Sequence, residues 1–213
     1  MDRTVEFKDL SKLTLYLDQK FQGKADLVRY ETKGSPYTNF LDIITTRHPD
    51  HVTYIGTIGC LMIPIQCSQS EPVDWRIEFV TAINEDSEEI QTESMLSLVT
   101  MMFNLENNCC YPGLVIRNAF PEDCSSPLKH LLMVYPFLWE DGLPSLSVKN
   151  TQIRFLQLLP ISNEEADFVS NNVYDAFEDK LEEEEVLYND VYRHMEKSNT
   201  KYFKKLRKLG KER

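Results

Sequence analysis

Two histidines three positions apart, His48 and His51, precede Cys60 and Cys67, and imidazole with thiolate is ligand chemistry suited to zinc. Their spacing matches none of the usual zinc patterns, and a pair inside His48-Pro49-Asp50-His51 more simply decorates the turn of a hairpin. Cys109 and Cys110 are adjacent, whereas a relaxed disulfide needs a Cα separation of about 4.4 Å or more, so they read as small buried hydrophobes. No metal site and no cofactor are expected. The chain has no G-x-S-x-G elbow, no G-x-x-x-x-G-K-[ST] phosphate loop, no G-x-G-x-x-G and no H-E-x-x-H, and its 7 glycines leave little material for such loops. The expectation is a protein that does not act as an enzyme, although catalytic groups converging from distant positions would leave no such motif.

The charged residues suggest recognition instead. Asp175, Glu178, Asp179, Glu182, Glu183, Glu184 and Glu185 form an acidic stretch that could imitate nucleic-acid phosphates and plug a basic protein surface. It could equally be a solvated helix face, or a turn held extended by self-repulsion. Arg76 and Glu78 alternate with Ile77 and Phe79, so on a strand they would share one face. That face is either the polar floor of a groove for a partner peptide or ordinary solvent-facing charge, and the second is the simpler expectation. At the other extreme of charge, Lys201, Lys204, Lys205, Arg207, Lys208, Lys211 and Arg213 are interleaved with Tyr202, Phe203, Leu206 and Leu209. This basic tail admits a nucleic-acid contact, an anionic-membrane contact, an internal partner for Glu182 to Glu185, or a frayed terminus.

Composition narrows these classes. The chain has 213 residues, 42% of them hydrophobic and 11% aromatic, enough for one domain with a sizeable core. Its net charge of -11 repels phosphates and attracts basic proteins, so direct nucleic-acid binding by the main body is disfavoured. Five cysteines, an odd number without a C-x-x-C pair, fit reduced thiols better than a disulfide framework. The N-terminus has no apolar h-region, and no stretch approaches the roughly 18 apolar residues of a membrane span. A cytoplasmic location, with no membrane contact, is the expectation.

Elements that could position these residues follow from periodicity. Leu10, Leu13, Leu17 and Phe21 describe one face of a helix over Phe7 to Phe21, ended by Gly23. Strand-like runs follow at Leu27 to Glu31, Phe40 to Thr46, Val52 to Ile65 and Trp75 to Ile83. Glu88 to Asn107 has helical spacing. Further strands are expected at Leu114 to Asn118, His130 to Phe137, Leu146 to Val148 and Gln152 to Leu159, with Leu131 to Tyr135 in the sheet interior. Ser162 and Glu165 have the spacing of a capping box, which starts a helix whose inner stripe is Ala166, Val169, Val173, Ala176 and Phe177. Composition changes beyond Leu181, which divides the chain into a main domain, 1–181, and a charged helical extension, 182–213, with another helix over Glu185 to Lys197. No internal repeat at a fixed period is visible.

Several of these segments carry a family resemblance. Leu131-Leu132-Met133-Val134-Tyr135-Pro136-Phe137, followed by Ile153-Arg154-Phe155-Leu156-Gln157-Leu158-Leu159-Pro160-Ile161-Ser162-Asn163-Glu164-Glu165, is similar to the end of the suppressor-of-fused domain. Upstream, Thr57-Ile58-Gly59 and Trp75-Arg76-Ile77-Glu78-Phe79 resemble that family's threonine-glycine strand end and its glutamate-bearing strand. The resemblance implies an α+β fold, a mixed β-sheet flanked by helices. It also implies a protein-binding role. Animal members hold a transcription factor through an inserted peptide strand and carry a second domain, whereas the short bacterial form, which this chain resembles, consists of immunity proteins of polymorphic toxin systems. The implied function is an antitoxin that occludes a cognate toxin with a basic surface, one that acts on nucleic acid. The alternative is a regulatory adaptor that sequesters an intracellular protein through a short segment.

Overall fold

Helix α1 (Phe7–Phe21) occupies the span its threes-and-fours spacing predicts. The computed structural model describes residues 7–31, 38–49, 51–63, 74–84, 110–120, 126–139, 142–148, 151–172 and 174–183. In it Leu10, Leu13, Leu17 and Phe21 are all buried against one face of a sheet. The left-handed residue that ends α1 is Gln22 (φ 51), not Gly23. Gly23 is needed for a different reason: a Cβ there would lie 2.4 Å from Thr46 Cγ2.

Four antiparallel strands follow, β1 (Lys24–Glu31), β2 (Phe40–Arg47), β3 (Val52–Ile58) and β4 (Asp74–Asn84). The His48 to His51 segment turns the β2–β3 hairpin as expected, with the His51 N–H donating to His48 O at 3.1 Å and His51 left-handed at φ 64. Among the described residues β1 is an edge strand. It is clamped to β2 by the Arg29 guanidinium, which donates to both Asp42 carboxylate oxygens at 2.7 and 2.8 Å and lies 4.1 Å over the Phe40 ring. The run from Val52 to Ile65 is a strand only to Ile58. Gly59, at φ 128, turns the chain into a single 3₁₀ turn, Cys60–Met62.

The second half contributes β5 (Val115–Ile116), β6 (His130–Val134), β7 (Leu146–Val148) and β8 (Thr151–Ile161). The eight strands form one sheet in the order β1-β2-β3-β4-β8-β6-β5, with β7 also on β8. β4 and β8 run parallel and every other pair is antiparallel, so the sheet is mixed. Leu131 to Val134 are fully buried, as their apolar run predicts, but Tyr135, expected in the sheet interior with them, lies beyond the end of β6 before Pro136 and is exposed.

Strand alternation sends Ile43, Ile55, Phe79, Leu131 and Leu158 to one face, where Cys110, Phe120 and Leu128 cover them. The opposite face packs Val80 and Phe155 against α1, and Leu159 and Ile161 against α2 (Asn163–Asn171) and α3 (Tyr174–Glu183). Among the described residues, all three helices therefore lie on one face.

The capping box is present in full. The Glu165 N–H donates to Ser162 Oγ at 3.2 Å, and the Ser162 N–H donates to the Glu165 carboxylate at 2.7 Å. The single helix expected after it is in fact two. Asn172 is extended (φ -131, ψ 171), and the side chains of Asn171 and Asn172 donate to the carbonyls of Asp167 and Phe168, both at 2.7 Å. These amides take over the carbonyl bonds that a continuing helix would have made, which is how asparagine competes with helical backbone. The helices expected over Glu88 to Asn107 and Glu185 to Lys197 lie outside the described residues, as do Glu184, Glu185 and the basic tail. No described helix is long and apolar enough to cross a membrane.

Candidate functional site

Glu78 sits where two strands part. The β3–β4 ladder ends at the Gly56–Val80 pair, and beyond it side-chain bonds replace strand bonds. Thr57 Oγ1 accepts from the Phe79 N–H at 2.8 Å and donates to Glu78 Oε2 at 2.6 Å. The N–H groups of Gly59 and Leu61 donate to Oε1, both at 2.9 Å, and that of Cys60 donates to Oε2 at 3.3 Å. Glu78 thus binds the turn that follows β3 in the way a neighbouring strand would.

Glu78 is fully buried, so the expectation of solvent-facing charge is overturned. The reason lies in topology: α1 covers the face to which Glu78 and Val80 point. Arg76, two residues earlier, is half-buried. Burial pushes the Glu78 carboxyl up to about 7, against the pull of its four donors. Cys60 beside it is pushed well up, first by burial and then by the Glu78 charge. A thiol so protonated and enclosed is a poor nucleophile. The arrangement holds a turn; it does not present a reactive group.

The described zinc candidates, His48, His51 and Cys60, are not brought together, and Cys67 lies outside the described residues. His48 meets the Tyr54 ring edge-on at 6.0 Å, His51 is exposed and Cys60 is buried. Among the described residues no three His, Cys, Asp or Glu side chains are placed to share a metal ion. Cys60 and Cys110 are buried thiols in the same apolar cluster.

The acidic stretch falls on α3 and beyond. Phe177 is fully buried and Lys180 nearly so, and positions 178 and 179 fall away from them around the helix, while the side chains of Asp175, Glu182 and Glu183 lie outside the described ones. Asp179 is exposed and Glu178 half-buried, accepting a short hydrogen bond from the Tyr174 hydroxyl. Burial, and then Glu178, push the Tyr174 phenol far above its ordinary range. Carboxylates near a helix C-terminus oppose the macrodipole. The acidic side of α3 is therefore better suited to a cationic neighbour than to water alone.

Large exposed apolar side chains form the features that the sequence did not mark. Leu27 and Val28 stand out from edge strand β1, and Tyr111, Tyr135 and Phe137 from the far side of the sheet. The available signal was that Tyr111 and Tyr135 each precede a proline, which ends strand pairing at a sheet border.

Comparison with known proteins agrees with this architecture. A suppressor of fused homologue from Neisseria gonorrhoeae FA 1090 superposes with a TM-score of 0.62 at 18% identity, covering 87% of this chain and 95% of that one. The Sufu–Fu complex crystal structure gives a TM-score of 0.64 at 14% identity, covering 92% and 94%. Drosophila Suppressor of Fused gives 0.61 at 12% identity, and there the chain spans only 53% of the other protein. In sequence, Immunity protein YqcF of Bacillus subtilis (strain 168) is 33% identical over 176 residues, 81% of this chain and 89% of the relative. The family model described as Suppressor of fused protein (SUFU) matches residues 38–194, and the chain belongs to that family.

Proposed function

We propose that this chain is an immunity protein that binds a cognate toxin in the cytoplasm and neutralises it by covering a surface the toxin needs. The observation that carries the reading is its 33% identity to Immunity protein YqcF along most of both chains. Physical features support it. A toxin that acts on nucleic acid needs a basic surface to hold phosphates, and the side of α3 bearing Glu178 and Asp179, in a sequence that continues through Glu182, Glu183, Glu184 and Glu185, complements such a surface. A net charge of -11 would speed that encounter. Glu78 takes no part in the contact on this reading, because it is enclosed.

The test is co-expression of the candidate toxin with and without this chain. Survival only in its presence, together with a one-to-one complex, is the expected result, and equal killing in both cultures refutes the proposal. A regulatory adaptor is the second reading, favoured by the exposed Leu27 and Val28 on edge strand β1, a place where a peptide strand could add. Recovery of a signalling or transcription factor in place of a toxin would select it.

A further inference from the structure

The sheet has a notch. Along one edge of β8 the β7 ladder stops at Ile153 and the β6 ladder starts at Gln157, and a cleft of about 490 Å³ opens between the two. Its walls include the buried Leu143, Phe155 and Leu156, and two of its lining residues, Tyr111 and Tyr135, are 50% and 62% exposed. Tyr135 is the first residue beyond β6, and Pro136 behind it has no N–H to continue the ladder, so the ring is left standing at the border. An exposed apolar cleft bordered by tyrosines is uncommon on a surface with no partner.

The same border joins the acidic helix. Tyr174 packs so closely on Gly113 that a Cβ at position 113 would lie 3.2 Å from Tyr174 Cβ. The Tyr174 hydroxyl reaches the Tyr135 backbone and donates to Glu178. One tyrosine thus links the apolar cleft to the carboxylates of α3.

We infer that this cleft is the anchor pocket for the toxin, and that it takes one aromatic or large aliphatic side chain flanked by lysine or arginine. The inference rests on the immunity reading above and names its contact surface. The cleft has room for such a side chain with its flanking backbone. Tyrosines around a desolvated pocket are characteristic of the few positions that dominate binding energy. Glu178, joined to the Tyr135 border through the Tyr174 hydroxyl, selects for positive charge beside the anchor.

The test uses the full chain, ¹⁵N-labelled, and three peptides: Lys-Lys-Trp-Lys-Lys, Lys-Lys-Ser-Lys-Lys and Glu-Glu-Trp-Glu-Glu. The first is expected to move the amide signals of Tyr111, Leu114, Tyr135 and Phe137 together with those of Glu178 and Asp179. Tyr135→Ala should weaken it about 10-fold, and Leu15→Ser, on the exposed side of α1, should not. Equal shifts from the serine peptide overturn the apolar anchor, and equal shifts from the acidic peptide overturn the charge selection. The toxin arm uses cells. If Tyr135→Ala combined with Ser145→Trp, which fills the cleft, protects as well as the wild type, the pocket is refuted and the immunity reading stands. If the wild type itself does not protect, the toxin is overturned as occupant even where the first peptide binds.

Discussion

Replacing Glu78 by glutamine tests the role assigned to this carboxyl most directly, because the two side chains share a shape and differ in charge. Burial raises the carboxyl from 4.5 to about 7. Below pH 4.5 the group is protonated in both the folded and the unfolded chain. Between 4.5 and about 7 the folded chain keeps a proton that the unfolded chain has released, so stability falls as pH rises. The loss across the window is on the order of 3 kcal/mol, and about 2 kcal/mol of it falls between roughly pH 5.5 and 8.

Glu78→Gln carries no such proton, and its own stability lacks this slope. The amide cannot accept from the Cys60 N–H as Oε2 does, so at about pH 5.5 the variant should be about 1–3 kcal/mol less stable than the wild type. At about pH 8 the deficit should have shrunk by about 2 kcal/mol, to near zero or to a small advantage for glutamine. Urea unfolding of both proteins across this range gives the comparison, and the net charge of -11, which acts on both, cancels in the difference. A deficit that stays constant over this range would show that the carboxyl is already ionised at about pH 5.5, as it is if the four donors hold it at or below its ordinary value, and would refute the reasoning.

Other substitutions probe separate parts of the fold. Ser162→Ala removes the acceptor for the Glu165 N–H and should lower stability by about 1 kcal/mol, read as a shift in the urea midpoint with unchanged slope. Gly56→Ala places a Cβ 3.2 Å from Ile44, Leu17 and Phe21 at once, and should cost about 1–3 kcal/mol in thermal or chemical unfolding. Asp167→Asn breaks a surface pair with Arg117 whose partners are 45% and 66% exposed, and unfolding should change by less than about 0.5 kcal/mol. If the toxin docks on α3, Asp179→Lys should slow association in stopped-flow mixing while leaving the unfolding curve in place, and added salt should narrow the difference.

Much of this fold is legible from local patterns. α1, the strands β2 and β4 and the Ser162–Glu165 box each depend on residues within a few positions of one another, and each appears where its spacing places it, whereas the Val52 to Ile65 run is cut at Ile58 by the turn at Gly59. The break at Asn172 could also have been read locally, since consecutive asparagines after Ser170 offer amides to the helix carbonyls. The environment of Glu78 could not. Alternation correctly gave its face but said nothing of what covers that face, because the covering helix lies far away in sequence. Thr57 and Gly59, which donate to the carboxyl and turn the chain around it, stand about twenty positions upstream. The acidic stretch was plain from composition, but the exposure of Asp179 and the Tyr174 partner of Glu178 needed the register of α3. The cleft at Tyr135 was illegible because it is an absence of pairing between two short ladders.

The parallel seam between β4 and β8 also governs how the chain must be made. Its partners lie 77 positions apart, as the Thr81 hydroxyl on Leu158 O illustrates. At roughly 5–20 residues per second, the finished β4 would wait roughly 4–15 s on the ribosome before β8 could be synthesised. During that interval an apolar strand carrying Ile77, Phe79 and Ile83 has one open border, and such borders template aggregation. Slower translation after β4 would lengthen that exposure, so the yield of folded protein should respond to synonymous codons between Asn84 and Thr151 even though no residue changes.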